Sequence, residues 1–243
     1  MINLFMKVDI LAFGAHPDDV ELSCSGTLIK HVSSGRRVAV VDLTRGELGT
    51  RGNPELRKKE SDAASAIMGI HFRECLDMKD GFFQNDERHQ LKVVEAIRKY
   101  QPEVVLCNAI SDRHPDHARA GRLVADSCFL SGLIKVETVH HGVSQKAWRP
   151  RAVYHYVQDR FMQPDFVIDV TDFTEEKRAS ILAYASQFYK ADSIEPETPI
   201  SSPEFLENVF AKMSVFARPI GGRYAEAFCV ERTPGLNSLF DLL

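Results

Sequence analysis

Val8-Asp-Ile-Leu-Ala-Phe-Gly-Ala-His-Pro-Asp-Asp19 is the stretch that sets the fold. Its first part is a short apolar run with a single charge, the pattern of a strand buried on both faces. The tetrad His16-Pro17-Asp18-Asp19 then breaks the run. After it Val20, Leu28, Ile29 and Val32 recur at helical spacing as far as Gly35, a natural residue just past a helix end. A strand, a tight polar turn and a helix form the first half of a βαβ unit. About a hundred residues later the pattern returns: Val104-Val-Leu-Cys107, a short polar connection, His114-Pro115-Asp116-His117, and a helical pattern over 116–131.

Between the tetrads, Val38–Leu43 reads as a second strand, and Thr44–Gly52, with three glycines, as a mobile lid. Asn53 at the N-cap and Pro54 at the first helical position predict a helix over 54–68 that stops at Gly69. A strand over 72–77, a helix over 87–100 ended by Gln101-Pro102, and a strand over 104–108 follow. Residues 133–150 are polar and rich in His, Ser and Gln, and read as an irregular loop. Further strands fall at 152–157, 166–170 and 227–231, and helices at 173–190 and 203–217. With no linker and no repeat beyond the tetrads, one domain over 1–243 is expected.

The class is α/β: a Rossmann-like, largely parallel sheet flanked by helices. In the doubly wound order 3-2-1-4-5, strands 1 and 4 are neighbours where the winding reverses, and ligands bind outside their carboxyl ends. Both tetrads should therefore open into one crevice. A single His-Pro-Asp at a strand end reads as a turn with a capping Asp. Two of them at the switch point read as a metal site. The spacing His16-x-x-Asp19 and His114-x-x-His117 puts each pair on one face, and Zn2+ accepts imidazole nitrogen and carboxylate oxygen at about 2.0–2.2 Å.

Bulk properties exclude other classes. A net charge of -4 and a pI near 6.1 give no general attraction to nucleic acid or anionic membranes. No apolar run approaches the roughly 20 residues that span a bilayer, and no signal peptide is read at Met1–Lys7. The five cysteines, Cys24, Cys75, Cys107, Cys128 and Cys229, are scattered and never form C-x-x-C. They read as small buried hydrophobes in a reducing compartment, so a cytoplasmic location is expected. A dinucleotide-binding protein is a rival reading, but Gly14-Ala-His-Pro-Asp-Asp-Val lacks G-x-G-x-x-G, and Asp18 and Asp19 would repel a pyrophosphate.

Ala15-His-Pro-Asp-Asp19, Gly26-Thr27 and Arg113-His-Pro-Asp-His117 resemble the zinc-dependent N-acetylglucosaminyl deacetylases of the LmbE/PIG-L class, over most of the chain. Leu56-Arg-Lys-Lys-Glu60, Gln163-Pro-Asp-Phe-Val-Ile-Asp169, Ser186-Gln-Phe188 and Tyr224-Ala-Glu-Ala-Phe228 are similar to the bacillithiol-biosynthesis branch, which removes acetate from N-acetylglucosaminyl malate. The resemblance implies that His16, Asp19 and His117 hold Zn2+, with another divalent metal such as Fe2+ as the alternative. It makes Asp18 the general base and His114 the second catalytic group, oriented by Asp116, whose carboxylate would favour the charged imidazole. It also implies a homo-oligomer. A non-catalytic relative is disfavoured because all six His/Asp positions are kept.

Arg57 sits early in its predicted helix, where the macrodipole disfavours a cation. It matches a family position and is expected to hold a substrate carboxylate, such as malate's, by bidentate hydrogen bonds. Arg113 and Arg149 are further candidates for that pocket, and Tyr224 stands behind them. The alternatives within the enzyme class are a deacetylase of another N-acyl amino sugar and an amidase of a thiol conjugate, with loops 44–57 and 133–150 setting the choice. His31, His71 and His89 read as surface residues, His155 as a packed strand residue and Cys24 as packing. His140 and His141 would point to opposite sides if extended.

Overall fold

The structure is a computed structural model and describes residues 6–242 apart from 190 and 192. Strand β1 (Ile10–Gly14) leads into helix α1 (Asp19–Ser33), followed by β2 (Val38–Thr44), α2 (Pro54–Met68), β3 (Phe72–Met78), α3 (Glu87–Tyr100), β4 (Val104–Cys107) and α4 (Pro115–Leu130). A small hairpin of β5 (Val139–His140) and β6 (Val143–Ser144) precedes β7 (Ala152–Tyr156) and β8 (Phe166–Asp169). Helices α5 (Thr174–Leu182) and α6 (Pro203–Ala217) and strand β9 (Ala225–Val230) complete the order.

The main sheet runs β3-β2-β1-β4-β7-β9-β8. Its first five strands are parallel, with β1 paired to both β2 and β4, while β9 is antiparallel to β7 and β8. Successive residues of β1 serve opposite faces. Leu11 and Phe13 pack with Val41, Ile97 and Leu123 under α3 and α4, and Ile10 and Ala12 pack with Val40, Val20 and Leu28 under α1. Each fully buried large apolar side chain of this kind contributes about 1.5–3 kcal/mol.

The helix limits have local causes. The Asn53 side chain accepts from the Leu56 amide at 2.8 Å, and Gly69 closes α2 in the left-handed conformation. Gln101, with φ 46°, closes α3 ahead of Pro102. The β4–α4 turn is tight because Gly121 has no side chain: a Cβ there would lie 2.6 Å from the Asn108 carbonyl oxygen.

Helix α1 is fastened from the side. The Gly26 and Thr27 amides donate to the Glu226 carboxylate at 2.9 and 2.7 Å. The Lys177 ammonium donates to the Glu21 and Leu22 carbonyls and pairs with Glu226 at 2.8 Å. Both charged side chains are buried, so this clamp joins α1, α5 and β9 in the dry interior.

Two expectations give way to tertiary contacts. The predicted helix over 173–190 ends at Leu182, after a 3-10 turn at Thr171–Phe173. Beyond it the Ser186 amide and hydroxyl both donate to the Glu60 carboxylate at 2.7 Å, and Gln187 donates to the Arg51 carbonyl at 2.8 Å. Those ties to α2 and the lid override helix propensity; the end of the prediction at 190 lies outside the described residues. The loop over 133–150 contains the β5–β6 hairpin, turned by His141 and Gly142 with φ 48° and 79°. Because His141 is in a turn, its ring lies 4.2 Å from that of His140 and not on the opposite side. Among the described residues no helix is long and apolar enough to cross a membrane.

Candidate active site

Both tetrads stand at the carboxyl ends of β1 and β4, side by side at the switch point. At the first, Asp18 is the N-cap of α1 and carries φ 107°, a left-handed conformation that a side chain adopts at a cost of about 1–3 kcal/mol. The turn is held from outside: the Thr44 amide and hydroxyl donate to the Ala15 carbonyl at 3.1 and 2.8 Å. The Arg57 guanidinium donates to the Pro17 carbonyl and, at 2.8 Å, to the Asp18 carboxylate. Gly14 makes room, since a Cβ there would lie 2.9 Å from the His16 carbonyl oxygen.

At the second tetrad the helix starts two residues earlier in the motif. His114 is the N-cap of α4, Pro115 its first residue, and the His114 Nδ1 accepts from the Asp116 amide at 3.2 Å. The rings of His16, His114 and His117 then gather, with centroids 4.8, 5.6 and 5.1 Å apart pairwise. His117 Nε2 lies 3.1 Å from one Asp19 oxygen, and His16 Nδ1 lies 3.7 Å from the other. Ligands about 2.0–2.2 Å from one tetrahedral ion lie about 3.4 Å from each other, and the two distances fall on either side of that value.

The far nitrogen of each imidazole meets a carboxylate. His16 Nε2 faces Asp80 at 3.0 Å and Asp116 at 3.4 Å, and His117 Nδ1 bonds Asp112. Carboxylates behind ligand imidazoles fix the ring and raise its basicity. Asp19 is itself held, by Asn108 Nδ2 at 2.9 Å and Gln158 Nε2 at 3.2 Å. Among the described residues two groups of donor atoms lie within 4.8 Å of one another, His16 with His114 and His117, and His16 with Asp80 and Asp116. Asp116 is fully buried and does not reach the cavity, whereas Asp19 and His117 do. A catalytic ion needs an open position; His16, Asp19, His114 and His117 all line the cavity, and Asp116 does not.

The electrostatics follow. Burial lowers the basicity of His117, but Asp19 and Asp112 outweigh it and push the imidazole up to about 9. Burial likewise opposes His16, and Asp116, Asp19 and Asp80 together raise it well above its ordinary value. The carboxylates thus draw positive charge to the place where a cation would sit. Burial pushes the Asp18 carboxyl up to about 7, against the pull of Arg57 and with a further push from Asp19. His114 is lowered by burial and by the neighbouring His16 and His117.

Between the expected partners His114 and Asp116 the contact runs from the Asp116 amide to His114 Nδ1, while the carboxylate turns elsewhere. The Asp116 carboxylate accepts from the Gly81 amide at 2.8 Å and from Arg119 at 2.7 Å, and its next neighbour is His16. It supports the first tetrad's histidine, because at the second position of α4 it points back across the crevice.

A cavity of about 340 Å³ opens over the cluster, lined by His16, Asp18, Asp19, His114 and His117 together with Arg57 and Arg113. Arg57 is buried, with its Nε lacking a partner among the described residues. Arg113 is exposed and pairs with Asp159 at 2.7 Å. Arg149 does not reach the cavity: it stacks 4.4 Å over Phe129 and donates to that residue's carbonyl, so the expectation of a third cavity arginine is corrected. Tyr224 packs against Phe210 on α6. The lid is tied down, with the Leu48 amide on Asp80 at 2.9 Å and Arg51 on Ser193 at 2.5 Å. Asp80, Asp112, Asn108 and Gln158 are site residues that no motif announces. The one available signal is a polar residue directly after a buried strand at the switch point, which Asn108 satisfies and Gln158, two residues past β7, does not.

The PIG-L family profile, described as GlcNAc-PI de-N-acetylase, matches residues 11–128 and so spans both tetrads. The diacetylchitobiose deacetylase of Thermococcus kodakarensis is 28% identical over 74% of this chain and 70% of its own length. A protein of Bacillus anthracis described as a probable N-acetyl-alpha-D-glucosaminyl L-malate deacetylase is 24% identical, over 74% of this chain and 81% of its own. The crystal structure of a conserved protein from Thermus thermophilus superposes with TM-score 0.84 at 33% identity, covering 96% of this chain and 98% of that one. With the fold, the paired tetrads and these matches together, the chain belongs to the PIG-L/LmbE family and is an N-deacetylase, a hydrolase of N-acetyl amides.

Proposed function

We propose that the chain is a zinc-dependent deacetylase of an N-acetylglucosaminyl conjugate, with N-acetylglucosaminyl malate of bacillithiol biosynthesis as its substrate, acting as one cytoplasmic domain over residues 1–243. The observation that carries the reading is the placement of Asp18 at the cavity beside His16, Asp19 and His117. Those three residues would hold the ion, with Asp80, Asp112 and Asp116 behind the imidazoles. When bound, such an ion supplies Lewis acidity, polarising the acetamide carbonyl and acidifying water.

The chain's own residues do the rest. Asp18, with a carboxyl near 7, is matched to take a proton from the attacking water at neutral pH and return it to the departing amine nitrogen. Arg57 keeps that carboxylate aimed. Because His114 Nδ1 accepts an amide hydrogen and its basicity is lowered, the neutral ring carries its proton on Nε2. That N–H is the donor for the oxygen of the tetrahedral intermediate, so His114 stabilises charge there. Arg57 and Arg113, which both line the cavity, would supply donors for a carboxylate on the aglycone.

The test is acetate release by the zinc-loaded protein from N-acetylglucosaminyl malate, diacetylchitobiose and free N-acetylglucosamine. The malate conjugate is expected to have the highest kcat/KM. An equal or higher value for diacetylchitobiose overturns the malate assignment, and no release from any substrate overturns the whole reading.

A further inference from the structure

Past the His/Asp cluster the cavity continues into a chamber that the chemistry above leaves unused. Leu22, Val157, Phe205, Val209, Met213 and Phe216 line it. The last four recur on α6 at i, i+4, i+8 and i+11, which is one helix face. Val209, Met213 and Phe216 are only 9%, 4% and 6% exposed and pack with Leu22, Phe205 and Val157, so this wall is close-packed and apolar. The polar groups on this wall are already engaged. Glu226 takes two amides and Lys177, and the Lys212 ammonium donates to the Gln158 carbonyl. Water in such a chamber finds few partners, whereas hydrocarbon there gains the full benefit of leaving water.

Resting on the deacetylase reading, we propose that this chamber receives the hydrocarbon chain of the substrate's N-acyl group, and that the substrate class includes N-acylglucosamines with chains longer than acetyl. An amide has two ends that diverge from the carbon under attack. Arg57 holds Asp18 on the lid side of the cluster, and Gln158, next to Val157, holds Asp19 on the α6 side. The glucosaminyl end carries hydroxyls and needs polar partners, which Thr50, Arg57 and Gln187 provide on the lid side. The acyl end is hydrocarbon beyond its carbonyl and matches the α6 wall. A cavity of about 340 Å³ is within the range of sites that enclose drug-sized ligands.

The experiment is a series of N-acetyl-, N-butyryl- and N-hexanoylglucosamine, with kcat/KM measured on the zinc-loaded enzyme. Each buried methylene is worth about fourfold, so N-butyrylglucosamine is expected to exceed N-acetylglucosamine by roughly tenfold or more. In Val209→Trp, which fills the chamber, that ratio is expected to collapse toward one. Calorimetric binding of the same ligands to Asp18→Asn reads the chamber without turnover. A chain-dependent affinity of Asp18→Asn supports the chamber, and if the unsubstituted zinc-loaded enzyme hydrolyses none of the ligands the hydrolase reading is overturned. Cleavage of the acetyl substrate with no gain from longer chains overturns the chamber. So does a gain confined to alkyl glycosides of N-acetylglucosamine, which places the chain at the aglycone.

Discussion

The two turns at the crevice share the tripeptide His-Pro-Asp yet are built in different ways. In the first, the helix begins after the tripeptide, so Asp18 is the N-cap, left-handed, buried and facing the cavity. In the second, the helix begins within it, so Asp116 lies inside the first turn of α4 and points into protein. The second turn caps itself through His114. The first relies on outside support from Thr44, Arg57 and the Lys177–Glu226 clamp on α1. A two-residue change of phase between motif and helix is enough to make one aspartate a candidate proton acceptor and the other a support.

The largest effect expected to separate the two concerns those aspartates. Asp18→Asn should lower kcat by about 10²–10⁴-fold with zinc content by elemental analysis unchanged. Asp116→Asn should weaken zinc affinity by about 10–100-fold in competition with a chelator, and cost activity chiefly through lost metal. The reverse assignment of the two defects would dissolve the contrast. Next comes support of the first turn. Lys177→Met removes one partner of a buried pair and is expected to cost about 3–5 kcal/mol in denaturant unfolding; a cost below 1 kcal/mol would mean that α1 needs no clamp.

Gly121→Ala tests the self-capped turn. It pushes a methyl group against the Asn108 carbonyl and should destabilise the protein by about 1–3 kcal/mol. A neutral result would show that α4 can withdraw from β4 freely. The smallest effect is expected for Arg149→Ala, within about 0.5 kcal/mol in stability and with unchanged kcat/KM. Any loss of substrate affinity there would return Arg149 to the cavity.

Much of this was legible because local chemistry and tertiary contacts agree. Asn53 and Gly69 bound α2, Gln101-Pro102 stops α3, and the two tetrads mark adjacent strand ends. The similar segments Gly26-Thr27 and Tyr224–Phe228 turn out to touch, since the two amides of the first bind Glu226 of the second. What stayed hidden depends on partners far along the chain. No local signal ends α5 at Leu182, because the cause is Ser186 binding Glu60. Asp80 and Asp112 serve histidines 64 and five residues away without a shared motif. Where the Asp116 carboxylate points was not legible, because spacing alone does not say where a helix starts.

The reversal of direction at β9 and β8 has a consequence for how such an enzyme can change over time. Every residue of the two tetrads lies within 16–117, inside the segment that the family profile matches, while α6 and β9 come from the last third of the chain. Chemistry and much of the cavity wall therefore come from different parts of the chain, joined through Gln158 and Glu226. The α6 face can be redrawn, or exchanged between relatives by grafting, while the tetrads stay untouched. Selection on the reach of the cavity and selection on the hydrolytic step can then proceed at different rates within one molecule.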